Sequence, residues 1–371
     1  MESKTIVAMQ SLSAGRRPYI LLLSLCLCVL IINSIRRLPD SEYLQLDKVR
    51  LAKSHQTQSK PLSPRESAAN ETLGFHKVLA LSPKPSWRTR GLEAAASLTG
   101  LSINIPVQPQ NPPELVEAFR GIRVDGSDKH PSEGSARAWV AHLDLLKFVI
   151  AAEYETALIL EDDVDWDIRL KSQMQLISDN VRAFTDTPDD DTTPFGLDWD
   201  VLWLGHCGSL IDDGMIPPPI SYRDETRCET ELYSGWSKRF IREKIEEGHR
   251  LVQTAGSTTV CTFGYGVTKK SVMKLLDLLG KGAGMAYDLQ LQDLCREKKL
   301  RCLLVNPQVF NHYEPPASEG DQSLVHAGDR ADSTGSENDF EFKQGSTGNI
   351  MKSARCQALF GSTCMRPPSD I

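Results

Sequence analysis

Short apolar runs alternate along the chain with stretches of helical spacing. Lys77-Val78-Leu79-Ala80-Leu81 is an apolar run closed by Ser82-Pro83-Lys84-Pro85, which predicts a buried strand and its loop. Arg88 to Leu98 has helical character, and Ser102 to Val107 reads as a second strand. Strand, helix, strand is the pattern of a parallel α/β sheet. Ser135 to Ala152 sets Trp139, Val140, Leu143, Leu146, Val149 and Ile150 at helical spacing, and Thr156 to Leu160 is a strand that ends directly in acid. Ligand sites in such sheets lie at the carboxyl ends of strands. Further on, Asp200 to Leu204 predicts a third strand, and Thr258 to Val267 a strand interrupted by Gly264 and Gly266 with a helix following through Leu279. Asp288 to Lys299 reads as a helix and Arg301 to Val305 as a strand. Two stretches break the alternation. Asp186 to Asp198 reads as a solvated polar loop, and Gly208 to Arg250 is irregular and dotted with Tyr222, Tyr233 and Trp236, the character of an insertion over a site.

The ends differ from this middle. Tyr19 to Ile35 is almost unbroken apolar sequence between Arg16-Arg17 and Arg36-Arg37, near the lower end of the roughly 17 to 25 residues that a spanning helix needs. No small-x-small cleavage site follows, so an uncleaved anchor is expected rather than a signal peptide. Lys4, Arg16 and Arg17 favour a cytosolic N-terminus. The expected layout is a cytosolic tail over 1–18, a transmembrane signal anchor over 19–35, a Ser-, Gln-, Lys- and Pro-rich stem over 36–72, a folded body over 73–316 and a low-complexity tail over 317–371. Asn70-Glu71-Thr72 is a glycosylation acceptor triplet at the end of the stem. This layout predicts a type II single-pass protein of the Golgi or ER membrane with its body in the lumen.

Composition narrows the partners. The 371 residues, 40% hydrophobic and 25% charged, suffice for a sizeable core. A net charge of -7 argues against a nucleic-acid surface, which wants clustered positive charge. Cys26 and Cys28 lie in the apolar run, leaving Cys207, Cys228, Cys261, Cys295, Cys302, Cys356 and Cys364. Seven is odd, so oxidation leaves at least one thiol free or paired between chains. No zinc spacing is present. Cys356 and Cys364 are placed to close a small terminal loop.

The chemistry concentrates behind the strand at Thr156. Glu161-Asp162-Asp163-Val164-Asp165-Trp166-Asp167 sets five acids within seven residues. Their mutual repulsion is costly unless something positive neutralises it. Hard divalent cations take oxygen ligands, and Mg²⁺ or Mn²⁺ typically shares one or two carboxylates with substrate phosphates. A solvated loop and a non-catalytic calcium site are the alternatives at this point.

The segment Gly134-Ser135-Ala136-Arg137-Ala138-Trp139-Val140-Ala141-His142-Leu143, followed by Ala157-Leu158-Ile159-Leu160-Glu161-Asp162-Asp163, resembles glycosyltransferase family 25, which includes lipooligosaccharide and procollagen galactosyltransferases. The likeness runs in order from about Lys77 to Tyr313, with Arg88 and Arg90 after the first strand, Thr262 to Leu276, and Asp288 in a late acidic position. It implies a GT-A type fold, a Rossmann-like mixed sheet flanked by helices, and inversion at the sugar carbon. It also implies a UDP-hexose donor, most often UDP-galactose, with Mn²⁺ or another divalent cation as cofactor. Carried over by residue, Asp163 becomes the first metal contact with Glu161 beside it. Glu161, Asp162, Arg88 and Arg90 become donor-binding residues, and Asp288 becomes the base that removes the acceptor hydroxyl proton. An N-cap is the competing reading of Asp288. His142 matches the family's histidine and is the second catalytic candidate, although Ala141 stands where many members have Ser. His312 could add a late metal ligand, where the family tends to have an amide. Asp165 and Asp167 have no counterpart and are expected at the surface.

The function expected is metal-dependent transfer of a hexose, galactose first, from a UDP-sugar to a glycan or protein hydroxyl in the secretory pathway. The alternative is a catalytically inactive lumenal carbohydrate- or nucleotide-binding protein of the same fold. A two-metal hydrolase would need more scattered histidines and aspartates.

Overall fold

The computed structural model describes residues 62–122, 130–211, 214–255, 258–282, 284–316 and 343–366. Chain order begins with α1 (Pro64–Ser67), β1 (Lys77–Leu81), α2 (Trp87–Thr99), β2 (Ile103–Asn104), α3 (Pro113–Arg120), α4 (Glu133–Ala151), β3 (Thr156–Glu161), β4 (Val164–Trp166) and α5 (Leu170–Phe184). There follow β5 (Val201–Gly205), β6 (Ile220–Arg223), a 3-10 turn at Thr230–Leu232, α6 (Lys238–Lys244), β7 (His249–Thr254), β8 (Gly264–Thr268) and α7 (Lys269–Leu279). The series closes with α8 (Tyr287–Arg296), β9 (Cys302–Asn306), β10 (Phe310–Glu314), β11 (Ser346–Thr347) and α9 (Ala354–Phe360).

The sheet runs β2-β1-β3-β8-β5-β9-β7-β6. Its β1/β2, β1/β3 and β5/β9 pairs are parallel, while β8 lies antiparallel between β3 and β5, and β7 lies antiparallel to both β9 and β6. The expected mixed α/β sheet flanked by helices is therefore present. Alternation along each strand divides its side chains between two apolar layers, as a period of two requires. Leu158, Leu160, Leu202 and Leu204 face one layer with Leu92 of α2 and Ile177 of α5. Ala157, Ile159, Val201 and Trp203 face the other, with Leu145 of α4 and Leu275 of α7. Trp139 ties α4 to α7 by donating its indole N–H to the Leu279 carbonyl at 3.1 Å. Gly266 lets β8 pack closely, since a Cβ there would lie 2.6 Å from the Phe75 ring.

Several expectations change. Residues 208–250 are not wholly irregular: they supply β6 and α6 and lead into β7, and β6 and β7 extend the sheet beyond β9. The body begins before 73, because Ala68 and Leu73 are fully buried. Part of the expected low-complexity tail is folded too. Within 343–366, β11 pairs antiparallel with β10, α9 packs against α2, and Ala354, Arg355 and Cys356 are fully buried. No helix among the described residues is long and apolar enough to cross a membrane. The expected type II placement in a Golgi or ER membrane is corrected accordingly: nothing in the described body supports it, and 19–35, the segment expected to carry the anchor, lies outside the described residues.

Among the described residues the cysteines form three bridges, Cys207–Cys261, Cys295–Cys302 and Cys356–Cys364, with Cys228 a buried free thiol. The odd count thus leaves one thiol over. Burial pushes its pKa up to about 12, so it is a poor nucleophile.

Candidate functional site

β1, β3 and β5 end at the same edge of the sheet, and antiparallel β8 begins there. Topology therefore gathers the turn after β1, the acids after β3 and the residues ahead of β8. Ser86 caps α2, its hydroxyl accepting from the Arg88 N–H at 3.2 Å. The first turn of that helix aims Arg88, only 7% exposed, at the acids.

Each acid of Glu161-Asp162-Asp163 has its own partners. Asp163, 5% exposed, accepts from Arg88 and lies 3.0 Å from His312 Nε2, both through Oδ2. Burial alone would raise its pKa, but the His312 imidazole and the Arg88 guanidinium hold the carboxyl well below the usual carboxylate range. Its other oxygen, Oδ1, is buried and has no hydrogen-bond partner among the described residues. Asp162 accepts from the Ser82 hydroxyl at 2.6 Å and lies 3.5 Å from Arg88. Burial, then the neighbouring Asp163, raises it to about 6 despite Arg88. Glu161 accepts from the Thr262 hydroxyl at 2.9 Å. Burial, then Asp163, raises it to about 7.

His312 belongs to this cluster. It stands on β10, which pairs with β4 just beyond the acids, and its ring stacks on Phe263 at 5.7 Å. Burial would lower its pKa, but Asp163 lifts it to about 10, so it is a cation at neutral pH. The sequence weighed His312 as a late metal ligand. The structure places its Nε2 3.0 Å from Asp163 Oδ2, beside the acids.

The other expected residues divide. Asp288 sits inside the first turn of α8, whose N-cap is Ala286, so the N-cap reading does not hold. Its Oδ2 accepts from the Cys261 N–H at 2.8 Å and its Oδ1 from the Leu289 N–H at 2.9 Å. It lies close enough to Glu161 to push that carboxyl upward as well. The Cys207–Cys261 bridge fastens this backbone to the loop after β5. Arg90 is exposed on the outer side of α2, as expected two residues from an inward Arg88, because i and i+2 do not share a helix face. His142 lies in the core. Its Nδ1 is 3.0 Å from the Tyr265 hydroxyl, its ring stacks on Tyr287 at 4.3 Å, and burial lowers its pKa to about 3. At 3% exposure it stands among the packed side chains of α4 and β8 rather than with the acids.

The expectation that Asp165 and Asp167 are surface acids is overturned, for they are 0% and 1% exposed. Asp165 accepts through Oδ2 from the Thr347 hydroxyl at 2.7 Å and from the Ser353 hydroxyl, and through Oδ1 from the Arg355 N–H at 3.0 Å. Asp167 takes the Arg169 guanidinium in a two-point contact, each at 2.7 Å, and the Lys352 N–H at 3.0 Å. Apart from Arg169, two residues from Asp167, these partners lie in the C-terminal segment, where no local pattern announces them.

Among the described residues no three His, Cys, Asp or Glu side chains converge into a cage for a metal. Mg²⁺ and Mn²⁺ do not need one, since they keep several waters and bind through one or two carboxylates plus substrate phosphate. The bare, buried Oδ1 of Asp163 fits that mode of binding.

No family model matches the chain, and no curated protein matches it. Among solved structures it is similar at 12% identity and a TM-score of 0.30 to A197 from STIV, over 64% of this chain and 85% of that one. It is also similar at 12% identity and a TM-score of 0.27 to CMP:2-keto-3-deoxy-manno-octonic acid synthetase complexed with CTP, over 63% of this chain and 92% of that one. Likeness at these scores assigns the chain neither a function nor a family.

Proposed function

We propose that the chain is a metal-dependent transferase of GT-A type that moves a hexose, galactose first, from a UDP-sugar to a glycan or protein hydroxyl. One observation carries the reading: a buried strand-end carboxylate, Asp163, keeps one oxygen bare while Arg88 and His312 converge on the other. Such a site offers cation binding and anion binding within one side chain of each other.

A divalent ion held there would supply Lewis-acid stabilisation of the departing diphosphate. Asp163 holds the cation in this reading, with Glu161 alongside. Arg88 is the guanidinium within reach of the diphosphate, suited to two-point phosphate contacts. Asp162 is held by Ser82 and Arg88 and keeps the Arg88 guanidinium turned toward the acids. His312 adds positive charge on the same side, where negative charge would develop on the leaving group. Asp288, partly exposed and with each oxygen accepting one backbone N–H, retains lone pairs to take the proton of an acceptor hydroxyl. Inversion follows if that hydroxyl attacks from the face opposite the diphosphate.

The test is UDP release from a panel of UDP-sugars with Mn²⁺, by wild type and by D163N. Wild type is expected to release UDP with one donor, and D163N to lose at least about 100-fold in turnover, the scale for removing one electrostatic contact to a transition state. Nucleotide binding without sugar release would favour the inactive binding protein instead. A folded wild type that neither binds nor releases UDP would sink both readings.

A further inference from the structure

Arg355 reaches the same site from the far end of the chain. It is fully buried on α9, yet its charge meets no carboxylate in a direct ion pair among the described residues. One terminal nitrogen donates to three backbone carbonyls: Asp162 at 2.9 Å, Arg88 at 3.1 Å and Val164 at 3.3 Å. The guanidinium carbon lies 5.1 Å from the Tyr313 ring centroid and 6.0 Å from that of Trp87. Gly91 leaves the room for it, since a Cβ there would collide with the guanidinium.

Those three carbonyls belong to the first turn of α2, which carries Arg88, and to both flanks of Asp163. Arg355 therefore joins the two strands of backbone whose spacing brings Arg88 onto Asp163. Its own position is fixed in turn by Asp165, which accepts its N–H, and by Ser353, whose hydroxyl caps α9 by accepting from the Cys356 N–H at 2.9 Å. The Cys356–Cys364 bridge closes the segment behind it. Burying a guanidinium costs more than burying an apolar side chain of the same volume, so packing alone gives no reason for a cation here.

We infer that Arg355 is a positioning residue of the acid site, setting the separation of Arg88 from Asp163 by tying the backbone of α2 to the Asp162–Val164 turn. The inference rests on the reading of that site as the donor-binding centre, and it makes residues 343–366 part of the working unit.

Hydrogen–deuterium exchange of the full chain, read together with donor kinetics, tests it. In R355M the amides of 162–165 should exchange at least tenfold faster while those of β8 stay unchanged. Turnover should fall at least tenfold with the donor KM moving less than threefold. Because a single nitrogen serves all three carbonyls, an ammonium with three N–H donors can take its place in part, ending one bond short of it, and R355K should recover at least threefold of the turnover lost in R355M. Should R355M fail to fold, G91A displaces the guanidinium without removing its charge, and should show the same localised exchange. Exchange unchanged at 162–165 in a folded variant, or raised equally across the whole body, would overturn the positioning role. Exchange as expected in a protein whose wild type releases no UDP with any donor would instead leave the tether standing and remove the transferase reading.

Discussion

Replacing Asp165 with Asn separates a structural acid from a surface one. Asp165 is fully buried and accepts from two hydroxyls and from the Arg355 N–H. Burial pulls the Arg355 pKa down, and Asp165 is the strongest of the groups that hold it up, ahead of Asp163 and Asp162. Asn keeps the shape and the Oδ1 acceptor, and the Thr347 and Ser353 hydroxyls can rotate to accept from its amide. What disappears is the charge. Each of the three hydrogen bonds to the side chain falls from the charge-assisted scale of about 1.5–3 kcal/mol toward the neutral scale of about 1, so a loss of about 3 kcal/mol is expected. For a body of this size each kcal/mol moves Tm by about 2 °C, so D165N should melt about 6 °C below wild type. Scanning calorimetry at neutral pH measures it, with D189N at an exposed position after α5 as a control expected within about 1 °C, as surface substitutions usually are. A D165N protein melting with the control would refute the argument that Asp165 anchors the C-terminal segment.

Two further outcomes follow from the electrostatics and packing. Glu161 has a folded pKa near 7, above its ordinary 4.5, with Asp163, Asp288, His312 and the Thr262 hydroxyl facing it. The folded state therefore holds a proton that the unfolded state releases between those two values, so this group makes stability fall as pH rises from about 4.5 to 7. E161Q, which cannot ionise, should gain in Tm relative to wild type across that window and show no gain below pH 4.5; equal differences at pH 4 and pH 8 would count against a raised Glu161. His142→Ala removes a buried ring that stacks on Tyr287 and partners Tyr265, at a cost of about 3 kcal/mol by the scale of large-to-small core changes. Turnover per folded molecule should stay within threefold of wild type, and a hundredfold loss in a protein of normal Tm would return His142 to the chemistry.

What the sequence made legible followed from local periodicity. β1 matches the apolar run from Lys77 to Leu81 residue for residue, and α4 and β3 differ from their expected ends by no more than two residues. The acids of Glu161-Asp162-Asp163 were recognisable because a strand that ends in charge is locally conspicuous. Asp165 and Asp167 stand in the same run and look no different, yet their roles depend on Thr347, Lys352, Ser353 and Arg355, roughly half the chain away. Local patterning holds no information about such partners. β6 escaped notice for a related reason: Ile220-Ser221-Tyr222-Arg223 is a short strand at the end of the sheet order with only Tyr222 buried, too few apolar positions to declare a period. Arg88 and Arg90 both follow the first strand and both are candidates, Arg90 the favoured one; the turn of α2 buries Arg88 beside the acids and leaves Arg90 exposed.

The distance from Asp165 to Arg355 also sets an order of events during synthesis. Asp165 leaves the ribosome 190 positions ahead of the arginine that accompanies it in the core, an interval of about 10–40 s at roughly 5–20 residues per second. Throughout that interval the acid turn lacks its interior cation, and the groove that α9 will fill stands open to water. The contacts that Asp165 and Arg355 make with one another and with the turn between them form only once 343–366 has been translated and docked.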